Sequence, residues 1–361
     1  MLTFGWHNFC DMMNDTSPKP RILVAGGTGY IGSHTVVELI QSGYEVTIID
    51  DLSNSNASVI EGIAEITGHR PDFVKCDCAD FAAVDKVFSD NEDIKAVINF
   101  AAFKAVGESV QRPLAYYRNN LNIILNLLDS MTRHGVKGFV FSSSCTVYGQ
   151  PDENPVTESS PVKKALSPYG NTKQIAEEII SDAITSGAAL DAVILRYFNP
   201  VGAHPSSLIG EMPNGVPLNL VPYLTQAAIG IRKELSVFGD DYDTPDGTCI
   251  RDYIDITDLA KAHVCAIDRI MGGRMAAPME VFNIGTGRGV SVRELIDTFQ
   301  SATGVEVPHR IASRRAGDIA KVWADPTKAN DVLGWHATVP LGDTLLNAWK
   351  WQLALRERGI Q

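Results

Sequence analysis

The sequence lacks any apolar run approaching the about 20 residues that a helix needs to cross a bilayer. Its amino terminus also lacks the basic segment and apolar core that mark a signal peptide. We therefore expect no membrane association, and we interpret residues 1–20 as a poorly ordered extension. At 361 residues, the chain is long enough for one large domain or two smaller ones with substantial cores.

Positive charge is also scarce. The 31 basic residues are outnumbered by 43 acidic ones, which gives a formal net charge of −12. Such a surface repels nucleic acid and anionic membranes, so we expect neither as a partner. A local basic cluster can nevertheless bind a small anionic ligand.

Cysteine is present, but not in the arrangement of a metal site. Of six cysteines, only Cys76 and Cys78 lie close together, and no second pair follows at zinc-finger spacing. In a strand, this spacing would place both thiols on one face. We expect free thiols, no metal site and the reducing environment of the cytoplasm.

Short apolar runs alternate with helical patterns through the first half of the chain. The predicted strands are residues 21–25, 45–50, 73–77, 96–100, 138–142 and 190–196. The clearest predicted helices are residues 31–42, 113–135 and 169–187. The alternation predicts an α/β fold, with a Rossmann-type doubly wound parallel sheet over residues 21–199.

After Asn199 the pattern loosens, and residues 200–220 are rich in Pro, Gly, Asn and His. Helices are predicted at 221–232, 257–271, 291–303 and 341–355, and short strands near 235–238 and 280–284. We interpret residues 200–361 mainly as a smaller α/β substrate domain. Residues 250–286 are expected to return to the first domain.

A glycine-rich turn between the first strand and the first helix predicts a dinucleotide site. Gly26, Gly29 and Gly32 allow a tight turn, close approach of the backbone to a pyrophosphate, and close packing of helix and strand. The helix amino terminus adds free N–H groups and a positive dipole. Asp50 and Asp51 follow the second strand, where a carboxylate accepts ribose hydroxyls and repels a 2′-phosphate. This pattern favours NAD over NADP.

A second set of residues predicts acid–base chemistry. Tyr169 and Lys173 are four residues apart at the start of a predicted helix and so share one face. The Lys173 ammonium is expected to lower the pKa of the Tyr169 phenol and make it a general base at neutral pH. A serine run, Ser142 to Ser144, ends the fifth strand, where open α/β sheets place ligands. We assign catalysis to Ser144 and expect hydrogen bonds at the strand end from Ser142 and Ser143.

Further motifs extend these signals over residues 21–352. They are Phe100–Ser109, Phe141–Gly149, Arg196–His204, Gly247–Tyr253 and Arg314–Asp318. Together with the glycine turn, the serine run and the Tyr169/Lys173 pair, they closely resemble the 4-epimerases of UDP-hexoses. These enzymes belong to the extended short-chain dehydrogenase/reductase family.

The resemblance implies interconversion of UDP-galactose and UDP-glucose, as in galactose metabolism. Tyr169 would take the proton of the sugar 4-hydroxyl, and Ser144 would hydrogen-bond the 4-oxygen. A hydride would leave C4 for NAD⁺ and return to the opposite face of a 4-keto sugar. NAD would thus be tightly bound and regenerated in each turnover, with Lys173 also holding its ribose.

The resemblance also implies a set of cofactor contacts. Tyr30 and Ile31 would meet the pyrophosphate, Lys104 the phosphate or ribose, and Asp77 and Cys78 the adenine. The other implied neighbours of the cofactor are Asp50, Asn54, Ser55, Phe100, Ala101, Ala102, Asn119, Ser142 and Phe198. For Phe100 and Phe198, plain core packing is the alternative.

Substrate contacts are implied at three places. Asn199, Asn219 and Leu220 would touch the diphosphate and sugar. Ser236, Val237 and Phe238 would hold uracil, with Arg251 and Arg315 as anion partners and Asp318 on the uridine ribose. Val322 occupies the position that gates the sugar pocket in the family. Because valine is small, we hypothesise that UDP-GlcNAc and UDP-GalNAc are substrates too.

The resemblance further implies a homodimer, in which helices at about 110–135 and 169–187 form a four-helix bundle with their symmetry mates. Three alternative functions differ in the residues that they need. A 4,6-dehydratase needs an acid–base pair after the catalytic hydroxyl residue, and Cys145 and Thr146 cannot supply it. A UDP-uronate epimerase or decarboxylase stays open. A non-catalytic dinucleotide-binding scaffold is disfavoured, because Tyr169, Lys173 and Ser144 are all present.

Overall fold

The computed structural model describes residues 19–315 and 318–360. Its first half consists of six strands and six helices. The strands are β1 (Lys19–Ala25), β2 (Tyr44–Asp50), β3 (Asp72–Lys75), β4 (Ile94–Asn99), β5 (Gly138–Ser144) and β6 (Asp191–Tyr197). The helices are α1 (Tyr30–Gln41), α2 (Ser58–Thr67), α3 (Phe81–Asp90), α4 (Val106–Gln111), α5 (Pro113–His134) and α6 (Pro168–Thr185).

The second half has shorter strands. They are β7 (Asn199–Val201), β8 (Leu235–Phe238), β9 (Ile250–Arg251), β10 (Tyr253–Asp255), β11 (Met279–Ile284), β12 (Val290–Ser291), β13 (His309–Ala312) and β14 (Lys321–Val322). Its helices are α7 (Leu220–Ala228), α8 (Ile256–Met271), α9 (Val292–Thr303) and α10 (Leu341–Glu357). A 3₁₀ turn spans Cys145–Tyr148 and a π-helical turn spans Ala329–Leu333.

The central sheet has seven parallel strands in the order β3-β2-β1-β4-β5-β6-β11. This confirms the predicted Rossmann-type fold. The chain order reverses direction between β1 and β4, so a crevice opens at their carboxyl ends. Helices α1 and α8 cover one face of the sheet, and α3, α5 and α6 cover the other. Strand β11 comes from residues 279–284 and pairs with β6.

Two predicted boundaries were wrong. Lys19 and Pro20 belong to β1 rather than to an extension, and the rest of that predicted extension, residues 1–18, lies outside the described residues. Strand β3 ends at Lys75, so Cys76 and Cys78 follow it as buried free thiols. The strand ends early because the Asp77 carboxylate accepts the N–H of Ala79 in a turn and Asp80 then caps α3.

The smaller strands form separate sheets at the carboxyl edge of the main one. Strand β9 lies between β12 and β14, β8 pairs with β13, and β7 pairs with β10. Within residues 19–315 and 318–360, no helix has the length and apolarity to cross a membrane. The same residues contain no cluster of three or more His, Cys, Asp or Glu side chains arranged to hold a metal ion.

Candidate active site

The glycine turn joins β1 to α1 at the switch point of the sheet. Gly26 has a φ of +78°, and its N–H donates to the carbonyl of Ile49 at 2.8 Å. A Cβ on Gly32 would lie 2.2 Å from the carbonyl oxygen of Gly26, so only glycine lets α1 pack against the turn. Gly29 caps α1 without a side chain. The first-turn N–H groups, including those of Tyr30 and Ile31, therefore have no side-chain cap.

Asp50 lies at the end of β2, directly beside this turn. Its buried carboxylate accepts the N–H of Thr28 at 3.2 Å, the N–H of Leu52 at 2.9 Å and the hydroxyl of Ser55 at 3.1 Å. A carboxylate has about four acceptor positions, so capacity remains for a ribose hydroxyl. Asp51 and Asn54 are exposed on the loop that follows.

The remaining predicted cofactor residues line the carboxyl ends of β3 and β4. Asp77 is exposed just after β3. The N–H groups of Phe100 and Ala101 donate to the carbonyl of Ala25, which holds the β4 loop, with Ala102, against the glycine turn. Lys104 is half exposed, with its ammonium 6.0 Å from the ring centroid of Tyr30. Asn119 donates to Asn120 at 3.1 Å on α5.

The three serines at the end of β5 have different partners. Ser142 donates to the phenol oxygen of Tyr197 at 3.0 Å, and Ser143 donates to Glu177 at 2.5 Å. The Ser144 hydroxyl accepts the N–H of Thr146 at 3.2 Å and interacts with the Tyr169 phenol. Of the three, Ser144 is therefore the one placed to share a substrate oxygen with Tyr169.

Helix α6 presents Tyr169 and Lys173 to this strand end. Ser167 caps the helix by accepting the N–H of Gly170 at 3.1 Å, and Pro168 occupies the first position. Tyr169 thus lies in the first turn, and both side chains are buried. The Lys173 ammonium donates to the carbonyl of Ser142 at 2.7 Å and lies 5.9 Å from the centroid of the Tyr169 ring.

The prediction that Lys173 gives the Tyr169 phenol a lowered pKa was wrong. Burial raises the pKa of the Tyr169 phenol well above its ordinary value, with smaller upward effects from Tyr197 and Cys145. The Ser144 hydroxyl is the group that lowers it. Burial also lowers the pKa of Lys173 to about 8, against an upward effect of the Glu177 carboxylate. Desolvation of both groups outweighs the attraction expected from their spacing.

A buried polar network beneath these residues was not predicted from the sequence. Glu177, one turn after Lys173 on α6, pairs with Arg196 of β6 through bonds of 3.0 and 2.5 Å. Arg196 also donates to the phenol oxygen of Tyr148 at 3.1 Å, and Tyr148 donates to Asn283 at 2.6 Å. Two features of the sequence could have indicated this network: a glutamate at helical spacing from Lys173, and an arginine within an otherwise apolar strand.

A second group of predicted residues meets around β8. Phe238 is exposed at the end of that strand, and the Arg315 guanidinium lies 5.3 Å from its ring centroid. Arg315 bonds Asp318 at 3.2 and 3.3 Å. Ser236 is half buried, whereas Val237 points into the core, so the backbone of Val237 is the part available to a ligand. Two residues of this predicted motif, 316 and 317, lie outside the described residues.

Arg251 and Val322 lie side by side on the paired strands β9 and β14. Val322 is buried in an apolar cluster with Phe198 and Tyr148. Burial raises the pKa of the thiol of Cys145, the residue after Ser144, to about 11, and the positive charge of Arg251 lowers it by a smaller amount. Asp252 was also not predicted as a site residue. Its buried carboxylate accepts the N–H groups of Gly287 and Ala324 and so holds the end of β14 beside Arg251.

The last predicted contacts lie nearby. Asn199 begins β7, and its N–H donates to the carbonyl of Asp252 at 2.9 Å. Asn219 and Leu220 begin α7. The structure therefore places a dinucleotide-type turn, a Ser–Tyr–Lys group and two arginine-bearing segments along one edge of the sheet.

This fold and site define a class of protein. Residues 22–285 match the model of the NAD dependent epimerase/dehydratase family, and the chain belongs to that family. Within it, the chain is 51% identical to UDP-glucose 4-epimerase of Bacillus subtilis over 331 residues, which is 92% of this chain and 96% of that protein. The resemblance stated from the motifs is thereby confirmed.

Two solved structures extend the comparison. UDP-glucose 4-epimerase from Stenotrophomonas maltophila, with bound NAD and formylated UDP-arabinopyranose, is 47% identical, with a TM-score of 0.91 over 94% of this chain and 100% of that one. The UDP-Glc/GlcNAc 4-epimerase from Campylobacter jejuni is 36% identical, with a TM-score of 0.79 over 93% of this chain and 100% of that one.

Proposed function

We propose that this protein is an isomerase that interconverts UDP-galactose and UDP-glucose, using NAD that stays bound and is regenerated in each turnover. The observation that carries the proposal is the meeting of Ser144 and Tyr169 at the end of β5, with Lys173 fixed to the same strand end. A hydroxyl, a phenol and an ammonium placed together can remove and return the proton of a secondary alcohol. The relatives described above act on UDP-sugars of this kind.

The residues at the switch point fit NAD. The crowding at Gly26 and Gly32 admits only glycine, as the tight turn of a dinucleotide site requires. The uncapped first turn of α1 would hold the pyrophosphate, and Asp50 would hold the adenosine ribose. When bound, NAD⁺ supplies the acceptor and later the donor of the hydride at sugar C4.

Residues of the chain itself transfer the proton and orient the sugar. Tyr169 takes the proton of the 4-hydroxyl and later gives it back. Ser144 donates to the same oxygen and keeps it within reach of the phenol. The Lys173 ammonium favours the phenolate form of Tyr169, which is the form that can take this proton, and its bond to the Ser142 carbonyl holds it in place.

The nucleotide half of the substrate would be anchored away from these groups. Phe238 would stack with uracil, Arg315 and Asp318 would hold the uridine, and Arg251, Asn199 and Asn219 would hold the diphosphate and sugar. Anchoring at the nucleotide leaves the sugar free to turn about its link to the diphosphate. Turning presents its other face, which is what inversion at C4 requires.

A broader sugar range forms part of the proposal. Val322 lies in the cluster of Phe198, Tyr148, Val147, Val156 and Ala324, where a small side chain leaves more room than a ring. We therefore propose that UDP-GlcNAc and UDP-GalNAc are also interconverted. The solved relative from Campylobacter jejuni, described as a UDP-Glc/GlcNAc 4-epimerase, supports this extension.

The same proposal includes a cytoplasmic homodimer. Leu114 and Leu125 expose 73% and 48% of their surface on α5, and Leu121, on the same face, is half buried. Pairing of α5 and α6 with a second copy would cover this stripe in a four-helix bundle. Free thiols at Cys76, Cys78, Cys145, Cys249 and Cys265 suit a reducing cytoplasm. Sedimentation velocity of the purified protein tests the assembly.

The direct test of function is an assay of the purified protein with UDP-galactose and no added NAD. We expect UDP-glucose to form and NAD to be released when the protein is then denatured. Bound NAD without product contradicts the proposal. Conversion of a UDP-uronate, but not of UDP-galactose, favours the uronate epimerase or decarboxylase alternative.

A further inference from the structure

Glu211 lies between one residue of the cofactor site and one residue of the substrate site. Its Oε1 is 3.4 Å from the ammonium of Lys104 and accepts the Nδ2–H of Asn219 at 2.6 Å. We propose that Glu211 is a positioning residue that couples NAD binding to binding of the UDP diphosphate. The inference rests on the proposed function, which gives Lys104 to the cofactor and Asn219 to the substrate.

On the cofactor side, Glu211 lies close to the first turn of α1. Lys104 stands 6.0 Å from the ring centroid of Tyr30, the first residue of that helix. The phenol of Tyr30 donates to the carbonyl of Gly202 at 2.8 Å. Burial raises the pKa of this phenol, and the negative charge of Glu211 raises it further. Lys104 is therefore placed so that its ammonium can exchange Glu211 for a pyrophosphate.

On the substrate side, Glu211 sets the side chain of Asn219. Asn219 occupies the cap position of α7, yet its side chain does not cap that helix. Its amide donates to Glu211 instead, which fixes which end of the amide is the donor. The amide oxygen and the second amide hydrogen are then oriented for a ligand.

The carboxylate is held in place by the C-terminal helix. Its side chain is 10% exposed, and the main-chain carbonyl of Glu211 accepts the indole N–H of Trp351 at 2.9 Å. A Cβ on the preceding Gly210 would lie 2.6 Å from the Trp351 ring, so this segment packs tightly on α10. Because the carboxylate is largely removed from water, it gains from each polar partner, and a single oxygen, Oε1, is shared between Lys104 and Asn219.

This sharing predicts the sign of the coupling. When Lys104 turns to the cofactor pyrophosphate, Oε1 is left to Asn219, and the bond that orients Asn219 becomes stronger. NAD should therefore raise the affinity for UDP, and by reciprocity UDP should slow the loss of NAD. The two diphosphates would otherwise compete for positive charge along the same edge.

The experiment measures this coupling in the holoenzyme. NAD loss after dilution is followed with and without UDP, in the wild type, Glu211→Ala and Glu211→Gln. We expect UDP to slow NAD loss about 5-fold or more in the wild type, the lower end of typical couplings. In Glu211→Ala, the ratio of the NAD-loss rates without and with UDP should approach one. Glu211→Gln, which keeps an acceptor for Asn219 but loses the ion pair, should show an intermediate ratio and guards against misfolding of the alanine variant.

Two controls separate coupling from general damage. Glu61→Ala removes an exposed ion pair with Arg70, away from the site, and should keep the wild-type ratio. Asn219→Ala, the positive control, removes the substrate-side partner of Glu211 and should also bring the ratio of the NAD-loss rates without and with UDP close to one. An unchanged ratio in Glu211→Ala and Glu211→Gln overturns this inference alone. A wild type that binds neither NAD nor UDP overturns the proposed function, and this inference with it.

Discussion

The ammonium of Lys173 donates a 2.7 Å hydrogen bond to the main-chain carbonyl of Ser142. This bond joins helix α6 to the end of β5, the strand that also carries Ser144. The lysine is thus fixed where it can act on Tyr169, while burial lowers its pKa to about 8. Its protonation is therefore sensitive to pH in the range where an enzyme works.

The first prediction concerns pH. Lys173 is charged below its folded pKa of about 8 and neutral above it. Since the charged form supports the Tyr169 phenolate, kcat of the NAD-loaded protein should fall as pH rises through about 8. Lys173→Met should be weakly active and lack this alkaline fall. A wild-type kcat that stays level up to pH 10 contradicts the assignment.

The second prediction concerns the phenol of Tyr169. Tyr169→Phe should lower kcat about 10²- to 10⁴-fold, because the proton acceptor is lost while the ring still fills its pocket. NAD released on denaturation should match the wild type. Tyr44→Phe is the matched control, since that phenol bonds Asp268 at the opposite end of the sheet and should leave kcat unchanged. Equal activity of the two variants argues against the assigned role.

The third prediction concerns the glycine turn. Gly32→Ala puts a Cβ 2.2 Å from the carbonyl oxygen of Gly26, so the turn or α1 must shift. We expect loss of bound NAD and a fall of about 1–3 kcal/mol in the free energy of unfolding. Gly107→Ala, where the added Cβ meets nothing within 4 Å, should keep the bound NAD and should not lower the free energy of unfolding. Full NAD retention in Gly32→Ala contradicts the role of the turn.

The fourth prediction concerns the buried pair of Glu177 and Arg196. Glu177→Gln leaves a largely buried guanidinium without its counter-charge, and we expect a loss of about 3–5 kcal/mol in the free energy of unfolding. Adding Arg196→Met should recover part of it. The alkaline fall of kcat should also move to lower pH, because Glu177 raises the pKa of Lys173. Denaturant titration and a pH profile check the two effects; strictly additive losses in the double variant speak against coupling.

The fifth prediction concerns Val322. A tyrosine there adds a ring inside the cluster that contains Phe198. Val322→Tyr should reduce kcat/KM for UDP-GlcNAc and UDP-GalNAc about 10-fold or more, while the unmodified hexose pair is little affected. The measurement is turnover of both pairs by both proteins. A wild type inactive on the N-acetylated pair rules out the broader range.

Much of this site was predictable because its signals are local. Each signal lies within a short stretch of sequence: the glycine turn, Asp50 at the end of β2, and Tyr169 four residues before Lys173. The fold follows from the alternation of strand and helix patterns along the chain. The Tyr169 pKa was mispredicted because spacing shows which charges are near but not how deeply they are buried. Burial turned out to be the larger effect.

The pairs that hold the site together could not be read from the sequence. Glu177 and Arg196 are on different elements, and Glu211 meets Lys104 across 107 positions of chain. No periodicity links such residues, since their contact depends on how the helices and strands pack. Asp252 is similar, because its partners at Gly287 and Ala324 belong to other segments.

The most direct test of the central claim uses UDP-galactose carrying deuterium at C4. In the proposed reaction, the hydride leaves C4 and returns to the same carbon within one active site, without exchange with water. The purified protein, with no NAD added, should therefore give UDP-glucose that keeps its deuterium at C4. Loss of the label to solvent would contradict the account, as would a reaction that proceeds only when free NAD is supplied in proportion to product.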